Sequence, residues 1–287
     1  MIFVTRGRPH RATRALREAA AGFEVADRGF LRATRIYLAM AAALVGDAAG
    51  CEQHLQAAHD ANPGFEALFA VDLARAGAWL RAARGEISAA ADAAQRAADE
   101  AASRNAWALE VGALHDVARF GRAHDVVDRL EALTEVVDGP PVTIASAHAR
   151  ALVNRDGPAL DAASRSFASL ELDLFAAEAS AAAARIHGVA GKRSSAFAAR
   201  ERTRDLVARC ESAQSPALAR GDQPEVLTAR EREIADLARA DLPSREIAQR
   251  LGITTRTVDN LLGRVYSKLG VSGRKELTET LGPRPTT

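Results

Sequence analysis

The sequence predicts an all-α protein in two parts, a long stack of helical hairpins followed by a compact four-helix unit. Three observations carry this. From about residue 29 to 213 apolar residues recur three and four apart, and the alternating runs that build strands are scarce. Glycines punctuate that stretch at Gly46, Gly85, Gly121, Gly157 and Gly191, 34 to 39 residues apart, a period that suits two-helix repeats. Residues 227–281 instead hold four shorter amphipathic runs, each opened by a serine or threonine that can cap a helix: Thr228, Ser244, Thr254 and Ser272.

Composition is consistent with two folded parts. The chain has 287 residues, 48% hydrophobic and 26% charged, enough for two domains. Its formal net charge is +1, so a nucleic-acid surface, if there is one, must be local. Cys51 and Cys210 lack ligand or disulfide spacing and read as free thiols of a reducing cytoplasm. The N-terminal stretch is arginine-rich without an apolar run, which argues against a signal peptide, and no stretch approaches a membrane span. Lysine occurs only at Lys192, Lys268 and Lys275, as expected of a high-GC bacterial gene.

In chain order, Arg6, Arg8, Arg11, Arg14 and Arg17 predict a solvated helix or a ragged start rather than an electrostatic arm. The repeats follow. Each reads as helix, glycine turn, helix, loop. The loops fall at Pro63, at Asn105, at Pro140–Pro141 and near Leu170. Alanine dominates, which favours helix and lets helices approach closely. After Gly46 come the small residues Cys51 and Ala58 and then Pro63, and after Gly85 the small residues Ala90 and Ala97, while Val126 and Leu133 are larger. On these residues the repeats resemble degenerate tetratricopeptide repeats. That resemblance implies a curved solenoid with a concave surface for a protein or small-molecule effector. Residues 214–225, with two prolines and a glycine, predict a linker. The expected division is therefore 1–213 repeats, 214–225 linker and 226–283 a terminal domain.

The terminal domain carries the chemistry. Thr228 and Glu231 have capping-box spacing ahead of a helix at about 229–240, with Ile234 and Leu237 inward. Ser244 caps a second helix at about 245–251, and Gly252 makes the turn. Thr254 caps a third at about 255–269, ended by Gly270, and Ser272 caps a fourth carrying Leu277 and Leu281. Ala248, Gly252 and Val258 have the spacing of a helix-turn-helix. On the third helix Val258, Leu262, Val265 and Leu269 form one apolar stripe, and Arg256, Asn260, Gly263, Arg264 and Ser267 fall opposite. Arginine pairs bidentately with guanine and asparagine with adenine in the major groove, so Arg256, Asn260 and Arg264 are the expected base contacts. Gly263 costs helix stability and permits a close approach. Arg245, Lys268, Arg274 and Lys275, with Arg250, are the expected phosphate contacts.

The runs LTAREREI, SREIAQRLGIT and TVDNLLGRVYSKLGV followed by Arg274 resemble the LuxR-type DNA-binding domain over nearly all of 227–281. The resemblance implies a four-helix domain that binds double-stranded DNA as a homodimer through its fourth helix, with 255–269 as recognition helix. Leu261 stands where that family usually has histidine, and Asp259 replaces a frequent basic residue. Helical repeats ahead of such a tail also resemble the C-terminal portion of the large ATP-binding LuxR regulators, but the ATPase is absent. The nearest phosphate-loop lookalike, His187 to Arg193, has the wrong glycine spacing and lacks a Ser/Thr after Lys192.

The seven histidines have no nucleophile partner. They read as helix-surface residues, and His54 and His59 sit five apart, too far round a helix for a zinc pair. Trp79 and Trp107 read as repeat-packing residues. No enzyme, cofactor or metal site is expected. The sequence therefore predicts a cytoplasmic, sequence-specific transcription regulator whose repeats sense a ligand or protein. The alternative is a protein-interaction scaffold whose tail has lost DNA binding.

Overall fold

The computed structural model describes residues 2–26, 30–61, 67–222, 229–269, 271 and 273–281. Among these residues there is no strand. The helices run α1 (Ile2–Thr5), α2 (Pro9–Ala26), α3 (Leu31–Leu44), α4 (Ala48–Asp60), α5 (Ala70–Ala83), α6 (Ile87–Ser103), α7 (Trp107–Val117) and α8 (Val127–Leu133). Then follow α9 (Pro140–Asn154), α10 (Gly157–Ser169), α11 (Asp173–Val189), α12 (Arg193–Val207) and α13 (Pro216–Asp222). The last four are α14 (Ala229–Arg239), α15 (Ser244–Leu251), α16 (Thr255–Leu269) and α17 (Arg274–Leu281). Packing divides the chain into two compact units, Met1–Ala184 with Phe197–Gly221, and Arg185–Ala196 with Asp222–Thr287.

The first unit is built from hairpins. Two kinds of turn alternate along it. Gly46, Gly85 and Gly121 take the left-handed conformation inside hairpins, and Asn105, Gly139 and Glu171 take positive φ between them. Within the α9–α10 hairpin the expected Gly157 turn is corrected. Arg155 is the left-handed residue (φ 51°), and Gly157 is already in α10. Asp156 explains the shift, because its Oδ1 accepts from the Ala159 N–H at 3.0 Å and caps the helix so that Gly157 becomes its first residue. The loop expected at Pro63 lies outside the described residues. Alanine does the packing foreseen for it. Ala90, Ala91, Ala94, Ala97, Ala98 and Ala101 put one fully buried small-residue face along α6. Cys51 and Ala58 are buried as well. Burial pushes both cysteine thiols up to about 12, so they stay protonated and unreactive.

Other expectations change in this unit. Three of the five N-terminal arginines are ion-paired, Arg6 with Glu171 at 2.6 Å, Arg8 with Asp173 at 3.4 Å and Arg11 with Glu211 at 3.0 Å, while Arg14 and Arg17 are exposed on helix α2 as expected. The expected linker contains helix α13. Ser215 Oγ accepts from the Leu218 N–H at 3.2 Å, and Pro216 takes the first helical position, where its missing N–H costs nothing. Ahead of it the Gln214 N–H donates to the Leu44 carbonyl at 2.6 Å. Trp79 is buried against Phe120, with ring centres 5.0 Å apart, whereas Trp107 is exposed at the start of α7.

The histidine reading is corrected for three residues, because His115, His148 and His187 are buried. His115 and His148 sit on inward faces of α7 and α9, where His115 Nε2 lies 3.0 Å from His148 Nδ1. Phe167 and Phe175 pack around His115 with ring centres 5.5 and 4.9 Å away. Burial first, and then the neighbouring His148, Arg119 and Arg75, hold His115 well below its usual value. Burial lowers His148 to about 4. Beside them lies a buried charge network. Arg119 donates from Nε and Nη2 to both oxygens of Glu178 (2.7 and 2.8 Å) and from Nη1 to Asp116 Oδ1 (2.8 Å). Arg75 donates twice to Asp116 Oδ2 (3.0 and 2.8 Å). The Arg119 guanidinium lies 4.6 Å from the Trp79 ring and 4.4 Å from the Phe175 ring. The void beside this network holds about 30 Å³, room for one or two waters.

Candidate nucleic-acid interface

The second unit's core is small and lies within the tail. Ile234, Ala235, Leu237 and Ala238 of α14 meet Ile247 and Ala248 of α15, Val258, Leu262 and Val265 of α16, and Leu277 of α17. The three described members of the α16 stripe are thus inward, as their spacing requires.

Each helix is set by local chemistry. α14 ends with Asp241 in the left-handed conformation (φ 62°), a position the sequence does not advertise because aspartate, not glycine, occupies it. Ser244 is the first residue of α15 and not its cap; Pro243 precedes it without a side-chain bond. α15 ends as expected at Gly252 (φ 64°), where the Ile253 N–H reaches back to the Ala248 carbonyl at 3.0 Å. Thr254 does cap α16: its Oγ1 accepts from the Thr257 N–H at 3.2 Å. Thr228, Gly270 and Ser272 lie outside the described residues. So do the side chains of Ser267, Lys268, Leu269 and Leu281, and with them the expected Lys268 contact.

The outward side of α16 is polar. Arg256, Asn260, Gly263 and Arg264 are exposed, and Asp259 is exposed beside them. A Cβ added at Gly263 would meet nothing within 4 Å. Leu261 is half-buried and packs against the core. The exposed basic residues Arg245, Arg250 and Lys275 lie on α15 and α17. Among the described residues none of Arg245, Arg250, Arg256, Arg264 and Lys275 is in an ion pair, nor is the exposed Arg232 of α14, whereas Arg230 and Arg239 pair with Glu233 and Asp236. Arg274 differs from the rest of the expected phosphate set. It is half-buried, and its guanidinium donates to the Leu242 carbonyl.

Such a surface offers unneutralised guanidinium and ammonium groups around one helix face with an amide at its centre. That arrangement can neutralise phosphates and read base edges. Among the described residues no cluster of three or more His, Cys, Asp or Glu could hold a metal, and no helix is long and apolar enough to cross a membrane.

Residues 225–281 match the family described as bacterial regulatory proteins, luxR family. The spore germination protein GerE of Bacillus subtilis (strain 168) is 43% identical to this chain over 51 residues, covering 18% of this chain and 69% of that protein. No solved structure matches the chain.

Proposed function

The chain belongs, through residues 225–281, to the LuxR family of bacterial regulatory proteins, and from that premise we propose that it is a sequence-specific, DNA-binding transcription regulator of the bacterial cytoplasm. α16 is the recognition helix. Arg256, Asn260 and Arg264 contact bases in the major groove, and Arg245, Arg250, Lys268 and Lys275 contact phosphates. The observation that carries this reading is the set of exposed, unpaired basic residues around the outward side of α16. Exposed Arg245, Arg250, Arg256, Arg264 and Lys275 of α15 to α17 are free of ion pairs among the described residues, as is Arg232 of α14, while Arg230 and Arg239 of α14 are paired with Glu233 and Asp236. Two copies bind a two-fold operator with half-sites about one helical turn, or a multiple of it, apart. The helical-repeat part, residues 1–213 by the sequence division, receives a protein or small-molecule effector.

A second reading has a specific observation behind it. Leu261 turns toward the core where the resemblance implies a polar contact, and Asp259 puts a negative charge beside the recognition face. On that reading the chain is an interaction scaffold that has lost DNA binding.

One measurement separates the two. The fragment 221–287, which keeps the whole Ile234–Leu277 core, is incubated with fragmented genomic DNA over a range of salt concentrations. Enrichment of particular fragments and a log affinity that falls linearly with log salt are expected. No enrichment and no salt dependence would favour the scaffold, and recovery of binding by Leu261→His would locate the loss.

A further inference from the structure

Helix α15 is held in an unusual way. It is eight residues long, and only Ile247 and Ala248 of it are buried. A helix of that length has no independent stability. Its N-terminal cap position is Pro243, with no side-chain bond to the first amides. Two arginines from other helices meet its two ends. From α14, Arg230 Nη2 donates to the Leu251 carbonyl at 2.9 Å, while its Nη1 donates to Glu233 at 2.7 Å. Leu251 is the last residue of α15, so the guanidinium sits where carbonyls lack helical partners and the helix dipole is negative. From α17, Arg274 donates to the carbonyl of Leu242, two residues before α15 begins. The Leu242 N–H is itself tied back to the Leu237 carbonyl at 3.3 Å.

The geometry points to Arg230 and Arg274 as a pair of positioning residues that clamp the two ends of α15 and thereby set the angle at which α16 is presented. Neither guanidinium needs to touch DNA to affect recognition. α15 meets α16 through the Gly252 turn and the Ile247, Ala248 and Val258 contacts of the shared core. A tilt of α15 is therefore passed to the outward residues of α16. Arg274 changes role on this account, from phosphate contact to internal strut. The consequence for DNA rests on the regulator reading; the clamp itself does not.

The test uses the full chain and the variants Arg230→Met, Arg274→Met, Arg230→Lys and Arg274→Lys. Amide hydrogen exchange is followed across residues 245–265, with α3 to α6 as an internal control for folding. Binding is measured in parallel to an enriched genomic site and to bulk DNA, at several salt concentrations. Each methionine variant is expected to exchange faster through α15, with α3 to α6 unchanged. Each is expected to lose about tenfold in affinity for the enriched site, the scale of one lost charge-assisted hydrogen bond, while keeping its bulk-DNA affinity and salt slope. The lysine variants keep a charged donor and recover part of both losses. If Arg274 is a phosphate contact, Arg274→Met instead weakens all DNA alike, lowers the salt slope by about one and leaves α15 exchange unaltered; that outcome overturns the proposal. If the unaltered chain binds no DNA, the regulator reading fails, and the exchange of α15 alone decides the clamp.

Discussion

On the outward face of α16 individual side chains carry different kinds of information. An arginine or asparagine reading a base edge discriminates between bases, and an ammonium on a phosphate does not. Arg264→Ala and Asn260→Ala are therefore expected to cost about 1–3 kcal/mol on the preferred site and to flatten the preference among sites. Lys275→Ala, on the exposed side of α17, is expected to weaken every sequence about equally and to lower the salt slope by about one. Competition binding with single-base operator variants at two salt concentrations checks both. Equal behaviour of all three substitutions would remove the base-contact assignment. Residues at this face were legible from the sequence because a 3.6-residue period alone sorts Val258, Leu262 and Val265 from Arg256, Asn260 and Arg264. The buried Arg75–Asp116–Arg119–Glu178 network was not. Its partners lie 41 and 59 residues apart, and no local pattern encodes such a pairing. One signal was present: Asp116 and Arg119, at i,i+3 spacing beside His115, interrupt the mostly apolar run from Val111 to Phe120, where charges on an inward face must find each other. Arg6, Arg8 and Arg11 misled for a related reason, since their partners Glu171, Asp173 and Glu211 are far off in sequence.

Among the elements, α16 contains the most informative single change. Gly263 lies inside the helix, is exposed and has open space where a Cβ would stand. Alanine there adds no clash and removes the backbone freedom that glycine keeps when unfolded, so Gly263→Ala is expected to stabilise the tail by about 0.8–1 kcal/mol. A glycine retained at that cost fits a face that something must approach closely. The same substitution is thus expected to raise the melting temperature and to weaken DNA binding; a variant that is both more stable and unimpaired on DNA would show that the space is not used. Element boundaries followed where a residue's chemistry forces the backbone, as at Gly252 and Thr254. One failed where another residue took the forced conformation, at Arg155, left-handed without being glycine. Pro216 was read as a breaker and is a helix start, because a proline after a capping serine serves the first turn as well as it ends a previous one.

For the whole molecule, the distribution of histidine separates the two parts of the chain in a way that acid can reveal. His115 and His148 lie in the core of the first unit, and burial depresses both, His148 to about 4. Burial lowers His54, on α4, as well. Residues 225–281 contain no histidine. Above the ordinary value of 6.5 these side chains are neutral whether the chain is folded or not, and they contribute no pH dependence. Below 6.5 the unfolded chain binds protons that the buried pair refuses, so the folded state loses ground as pH falls from 6.5 toward about 4. The loss amounts to about 1.4 kcal/mol per pH unit for each histidine that stays neutral. Protonating both members of the pair at 3.0 Å would also set two positive charges against each other beside Arg119. Thermal unfolding of the full chain at pH 7.5 and pH 5 is therefore expected to show a transition of the repeat part that drops sharply in acid and a tail transition that moves little. A DNA fragment bound by the tail should raise the second transition and not the first, since a ligand stabilises only the folded part that binds it. His148→Phe, which fills a similar space without the titrating nitrogen, should remove part of the acid sensitivity. A single transition that shifts as one in acid and in DNA would mean that the two parts fold as one body.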